Sequence, residues 1–199
     1  MASATGNMCP ALSHIHPDNK IRPHRNIHSP LAEMTNTSKR LTTAQKYLSH
    51  FATLDQSLLA SLLTETHTHE FAPASLNLPG PFTKASYMAH NVSLSEVMIG
   101  FLVTVKEYFE CEASNSVVVW ANGEARFHEE LMDLDGEMTK EEWKFKGEYV
   151  FMIWMDESGE RIERTVEYLD SAGTKERLLE LMGRARENLE KMKPETGAS

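Results

Sequence analysis

Five side chains of this sequence could take part in proton transfer, and each lies in or beside an apolar segment. A proton next to a carbonyl group is removed by a base whose pKa lies near the working pH, helped by a donor to the developing enolate oxygen. Histidine has such a pKa, and burial can raise the pKa of a carboxyl group into the same range. The candidate catalytic residues are His69, Tyr87, His90, Glu148 and Glu167.

His69 is the first candidate for the base. It lies in an alternating run, residues 66–71, which predicts a short strand with His67, His69 and Phe71 on one face. The alternative is a structural histidine that hydrogen-bonds a neighbouring backbone group. His67 and His69 could also form a metal pair, but no third ligand is obvious beyond His90 or His128, and we predict no metal site.

Tyr87 and His90 stand three residues apart in a predicted helix that Thr83 can cap. This spacing places both side chains on one face of the helix. Tyr87 could donate a hydrogen bond to an oxyanion, and His90 could assist it. The alternative is that this face simply packs against the core.

Residues 144–170 are typical of a β-hairpin with a tight turn at 156–159. Burial would make Glu148 a general acid, whereas exposure would leave it a charge at the rim of the sheet. Alternation sets Glu167 on the face opposite its two neighbours, but leaves open whether that face meets a pocket or solvent. Asp170 is either a pocket residue or the cap of the following helix.

Several large apolar side chains near these candidates could line a pocket for a flat ligand. The predicted pocket residues are Phe71, Phe101, Trp120, Met152, Trp154 and Asp170. Ordinary core packing is the alternative for the apolar members of this set.

The predicted elements are two helices, a short strand, a helix, four long antiparallel strands and a last helix. Helices that precede an antiparallel sheet indicate an α+β fold, in which the helices cover one face and leave a cavity. We predict a disordered N-terminal extension at residues 1–38, one domain at 39–192 and a disordered tail at 193–199.

Charge and composition exclude several classes of function. The chain has 29 acidic residues against 20 lysines and arginines, a net charge of −9, which argues against nucleic-acid binding. No apolar run approaches the ~20 residues of a membrane helix, and no signal-peptide core is visible. We therefore predict a cytoplasmic protein with neither a membrane nor a nucleic-acid partner.

Four stretches of the chain resemble a known family. They are residues 54–63, the sequence HEFAPASL at 69–76, EYVF at 148–151 and EYLDS at 167–171. With the order of elements, they resemble the NTF2-like superfamily, and within it the SnoaL-like polyketide cyclases and isomerases of fungal type. The resemblance covers roughly residues 40–190.

This resemblance implies a cone-shaped α+β barrel, in which helices cover the concave face of a curved antiparallel sheet. It implies a cyclase, isomerase or dehydratase that acts without a cofactor on a polyketide-type or other secondary-metabolite intermediate. It also implies a small hydrophobic or aromatic substrate, a pocket carboxylate at Glu167 and a homodimer formed through the convex face. The alternative is a non-catalytic module for small-molecule binding or dimerisation.

Overall fold

The computed structural model describes residues 37–132, 134 and 136–193. The predicted disordered extension at 1–38 lies almost wholly outside the described residues, and so does the predicted tail after Lys193. Both therefore stay predictions, as do the domain bounds drawn between them.

Three helices precede the long strands. Helix α1 spans Lys39–His50, α2 spans Gln56–Leu62 and α3 spans Lys84–Ser95. At the start of α2, the Asp55 carboxylate accepts the Leu58 N–H. At the start of α3, Thr83 forms a capping box with Ser86.

Six strands form one open sheet. They are β1 (Leu63–Ala72), β2 (Phe82–Thr83), β3 (Met98–Cys111), β4 (Ser116–Phe127), β5 (Phe145–Met155) and β6 (Ile162–Leu169). The sheet order is β2-β1-β6-β5-β4-β3. Strands β3 to β6 are an antiparallel meander, as predicted, whereas β1 pairs with β6 in parallel.

The α+β class is thus confirmed, with a mixed sheet in place of a wholly antiparallel one. A parallel pair has no connecting turn between its strands, so no local pattern predicts it. After the sheet come α5 (Ser171–Gly173), a π-helical segment (Thr174–Leu178) and α6 (Leu179–Met192), while α4 (Glu129–Met132) lies between β4 and β5. No helix in the described part of the chain is long and apolar enough to cross a membrane.

The core lies on the face of the sheet that the helices cover, called here the inner face. Helix α1 packs on β3 and β4, and α3 packs on β1 and β3. Every odd-numbered residue of β4 from 117 to 127 and of β5 from 145 to 155 is buried. Strict alternation of this kind fixes which side chains of these strands point inward.

Gly123 of β4 leaves room for two rings on the inner face. A methyl group at Gly123 would lie 2.2 Å from the Phe101 ring and 2.7 Å from the Tyr149 ring. Gly123→Ala should therefore lower the free energy of unfolding, measured in urea, by roughly 1–3 kcal/mol. The control is Gly183→Ala in α6, where the added methyl meets no described atom within 4 Å and should stabilise the helix by up to about 1 kcal/mol. Equal stabilities of the two variants would contradict this account.

Candidate active site

A cavity of about 230 Å³ opens between the inner face of the sheet, α3 and α6. Its apolar walls are formed by Phe51, Leu54, Phe71, Leu78, Pro79, Leu94, Met98, Phe101, Leu169, Leu178, Leu179 and Met182. Its polar lining residues are Tyr87, His90, Asn91, Tyr149, Glu167, Thr174 and Arg186. Apolar walls with a few polar groups are typical of small-molecule sites. A larger depression of about 530 Å³ between α6 and residues 137–143 contains none of the candidate residues.

Glu167 is the buried acid of this cavity. On β6 it lies opposite Phe151 of β5 and Phe71 of β1, so it points to the inner face. Only 7% of the residue is exposed, and burial raises the pKa of its carboxyl group to about 8. The group is therefore mostly protonated at neutral pH, with a minor ionised fraction that could act as a base.

His69 contacts Glu167 but does not itself line the cavity. Its Nε2 is 3.5 Å from the Glu167 carboxylate, and its ring stacks on Tyr87 with centroids 4.0 Å apart. Burial, and then the neighbouring histidines, hold the pKa of His69 well below its usual value. Because His69 is neutral and Glu167 is mostly protonated, this contact is not an ion pair. Neither ring nitrogen has a hydrogen-bond partner among the described residues.

Two phenol groups reach the cavity wall. The hydroxyl of Tyr87 is hydrogen-bonded to that of Tyr47 at 3.0 Å, and burial raises the pKa of both. The Tyr149 hydroxyl is buried and completes no hydrogen bond within the described chain. Burial and the nearby Glu167 raise its pKa, while Thr174 opposes them. Both wall phenols, Tyr87 and Tyr149, thus stay protonated and can donate.

His90 lines the same cavity, on the helical face that it shares with Tyr87. Its ring lies 5.1 Å from the Phe82 ring and 5.7 Å from the Phe71 ring, measured between centroids. Burial, and then the charge of Arg186, lowers its pKa. His90 is therefore a neutral polar group in an aromatic setting.

The structure overturns the placement of Glu148 in the pocket. Tyr149 and Phe151 point inward, so strand alternation turns Glu148 to the outer face. Its side chain is 52% exposed and pairs with Lys106, and it accepts a hydrogen bond of 2.6 Å from Trp120 Nε1. These two partners hold the pKa of Glu148 below its usual value.

Four predicted pocket residues also lie elsewhere. Trp120, Met152 and Trp154 are on the outer face, where Trp154 stacks beneath the Arg164 guanidinium at 4.8 Å. Asp170 is not a lining residue, because its carboxylate accepts the Gly173 N–H and caps α5. The remaining two, Phe71 and Phe101, do line the cavity.

The other buried histidines are bound to the backbone. His50 Nδ1 contacts the Tyr47 carbonyl, and His67 Nδ1 lies 3.3 Å from the Ile162 carbonyl. Burial lowers the pKa of each to about 4. Within residues 37–132, 134 and 136–193, no three His, Cys, Asp or Glu side chains are grouped to hold a metal ion.

Sequence reasoning gave no role to Tyr47, Tyr149 or Arg186. Tyr47 follows the apolar spacing of α1, which is the pattern of any core residue. Tyr149 lies in the EYVF motif of the family resemblance. It stands two residues before Phe151 and so shares a strand face with it, which could have predicted that Tyr149 faces the cavity. Arg186 lies among charged residues of α6, a pattern typical of a solvated helix face.

Comparisons of sequence and of structure both find similar proteins from Aspergillus species. The chain is 26% identical over 132 residues to the austinoid biosynthesis cluster protein H of Aspergillus calidoustus, covering 66% of this chain and 83% of that protein. The solved structure of AusH from Aspergillus nidulans matches with a TM-score of 0.54 and 26% identity, over 67% of this chain and 84% of AusH. No protein-family model matches the chain.

A bacterial structure matches in fold. It is a Shewanella denitrificans protein described as a SnoaL-like polyketide cyclase, with a TM-score of 0.54 and 15% identity, covering 71% of this chain and 97% of that one. At this level of identity the match concerns the fold alone. The predicted resemblance is confirmed: the chain has the NTF2-like fold, which it shares with the SnoaL-like bacterial protein, and its sequence is similar to that of a fungal biosynthesis cluster protein.

Proposed function

We propose that this protein is an isomerase, cyclase or dehydratase of secondary-metabolite biosynthesis that works by acid–base chemistry without a cofactor. One observation carries the proposal. A buried carboxyl group, Glu167, with a pKa raised to about 8, lines an apolar cavity that two phenol donors also line. Acids and bases with such shifted pKa values are typical of catalytic sites.

In this mechanism the ionised fraction of Glu167 removes a proton from the carbon next to a substrate carbonyl. The hydroxyls of Tyr149 and Tyr87 donate to the oxygen on which the enolate charge develops. Protonated Glu167 then returns the proton to another carbon, which gives the isomer. If the enolate carbon instead attacks a second carbonyl of the same molecule, a ring closes, and protonated Glu167 gives its proton to the resulting alkoxide oxygen.

His69, which the sequence predicted as the base, takes a supporting role in this proposal, and so does His90. His69 touches Glu167 but not the cavity, so we assign it as a positioning residue that fixes the carboxyl group. His90 lines the cavity as a neutral donor or acceptor and orients the substrate. The small hydrophobic or aromatic substrate predicted from the resemblance suits the apolar walls. The cytoplasmic location and the absence of a nucleic-acid partner remain predictions.

The test follows proton exchange on a small ketone. β-Tetralone has acidic protons beside its carbonyl, and their replacement by deuterium in D₂O is followed by proton NMR. We expect the protein to accelerate this exchange and Glu167→Gln to reduce the acceleration by about 10²–10⁴-fold, the usual contribution of a general base. Exchange at the buffer rate, or an unimpaired Glu167→Gln variant, would count against the enzyme and favour the non-catalytic binding module.

We also propose that the outer face of the sheet forms a homodimer interface. It exposes Leu102, Phe109, Trp120 and Tyr168, which are 39–49% accessible. Exposed apolar clusters of this kind mark interaction sites. Light scattering after gel filtration should give a dimer for the wild type and for Met192→Lys, and a monomer for Tyr168→Lys. A monomeric wild type at all concentrations would refute this interface.

A further inference from the structure

Arg186 gives the cavity one permanent positive charge. Of the lining residues it alone carries a guanidinium group. It belongs to the exposed part of α6, so it stands where the cavity meets solvent. Leu179 and Met182 of the same helix add apolar wall next to it.

No carboxylate of the described residues balances the charge of this guanidinium. Within the described part of the chain, no acidic side chain comes within ion-pair distance of Arg186. Arg184 of the same helix differs, because it pairs with Glu137 at 3.3 Å and with Glu180 at 3.5 Å. Two arginines two positions apart on α6 thus have different surroundings.

The rest of the cavity does not neutralise this charge. Glu167 is mostly protonated at neutral pH, since burial raises its pKa. Burial, and then the charge of Arg186, lowers the pKa of His90, so this side chain adds no second charge to the cavity. At neutral pH the charge of Arg186 is therefore the main charge on the walls of the cavity.

We propose that the ligand of this cavity is an apolar ring compound that carries one carboxylate, and that Arg186 binds the carboxylate. The planar guanidinium matches a carboxylate with two parallel hydrogen bonds, which a neutral amide or ester cannot reproduce. The ring portion occupies the apolar walls, toward Tyr149 and Glu167. This inference rests on the proposed function, because it names the substrate class of the same cavity.

The test compares two probes of equal shape, β-naphthoate and β-naphthamide, by calorimetric titration of the full chain at low salt. We expect the wild type to bind the carboxylate about fivefold more tightly than the amide, a modest factor because Arg186 is partly solvated. Arg186→Gln should bind the two probes equally. Arg184→Gln, with the same change in net charge on the same helix, should keep the preference.

The outcomes separate this inference from the proposed function. If both probes bind the wild type with equal affinity, the carboxylate preference is wrong while the cavity remains a binding site. If Arg186→Gln keeps the preference, another group binds the anion and the assignment is wrong. If neither probe binds, both the ligand class and the cavity as a substrate site are overturned.

Discussion

Glu167→Gln should make the protein more stable than the wild type at pH 8, and the advantage should vanish toward pH 4.5. The folded-state pKa of Glu167 is raised to about 8, whereas the unfolded carboxyl group has its ordinary pKa of 4.5. A raised pKa means that the folded state retains its proton while the unfolded state loses it. The stability of the wild type is therefore highest below pH 4.5 and falls as the pH rises toward 8.

The size of this effect follows from the thermodynamic linkage between proton binding and the free energy of unfolding. Between these two pH values, the advantage of Glu167→Gln should grow by up to about 1.4 kcal/mol per pH unit. Urea unfolding, followed by circular dichroism at pH 4.5, 6, 7 and 8, measures it. The low pKa of His50 and His67 also makes stability depend on pH, but these residues are present in both proteins and cancel in the difference.

A matched control is available on the same strand. Glu163 is an exposed acid of β6, so Glu163→Gln removes the same charge without removing a buried carboxyl group. Its stability difference from the wild type should stay flat over this pH range. A flat difference for Glu167→Gln as well would mean that Glu167 is ionised in the folded protein, and the acid–base mechanism would lose its central group.

The sequence predicted the elements better than their pairing. Caps such as Asp55 and Thr83 are local devices, and the runs between them have clear periods, so helices and strands could be predicted directly. The parallel pairing of β1 with β6 joins segments far apart in the chain, and no local pattern encodes it. This pairing brings His69 next to Glu167. Their closeness could be expected from the family resemblance, but not from the hydrophobic periodicity of either strand.

The face of the hairpin could not be predicted because β5 is apolar on both sides. Tyr149 and Phe151 face the core, while Met152 and Trp154 lie on the outer face, which is apolar as well. Alternation shows that two residues lie on different faces, but it does not show which face is covered when both are hydrophobic. The prediction for Glu148 failed for this reason, although it lies on the same hairpin as Glu167.

Tyr149→Phe should reduce the exchange rate of β-tetralone strongly while leaving the protein as stable as the wild type. Loss of a donor to the developing oxyanion typically lowers kcat by about 10²–10³-fold. Neither the Tyr149 hydroxyl nor the neighbouring Thr174 hydroxyl completes a hydrogen bond within the described chain, so removal of the phenol oxygen breaks no formed bond. KM should change little if the hydrogen bond forms mainly in the transition state.

Tyr87→Phe distinguishes a catalytic loss from a structural one. The Tyr87 hydroxyl is bonded to that of Tyr47, which is completely buried, so its removal leaves a buried hydroxyl unsatisfied at a cost of about 1–3 kcal/mol. Tyr108→Phe is the negative control, since Tyr108 does not line the cavity. If the Tyr149→Phe and Tyr108→Phe variants both catalyse the exchange of β-tetralone at the wild-type rate, Tyr149 is not the oxyanion donor. A loss confined to Tyr87→Phe, larger than its instability explains, would leave Tyr87 as the oxyanion donor without Tyr149, because a phenol that is already held by Tyr47 is oriented before the substrate binds.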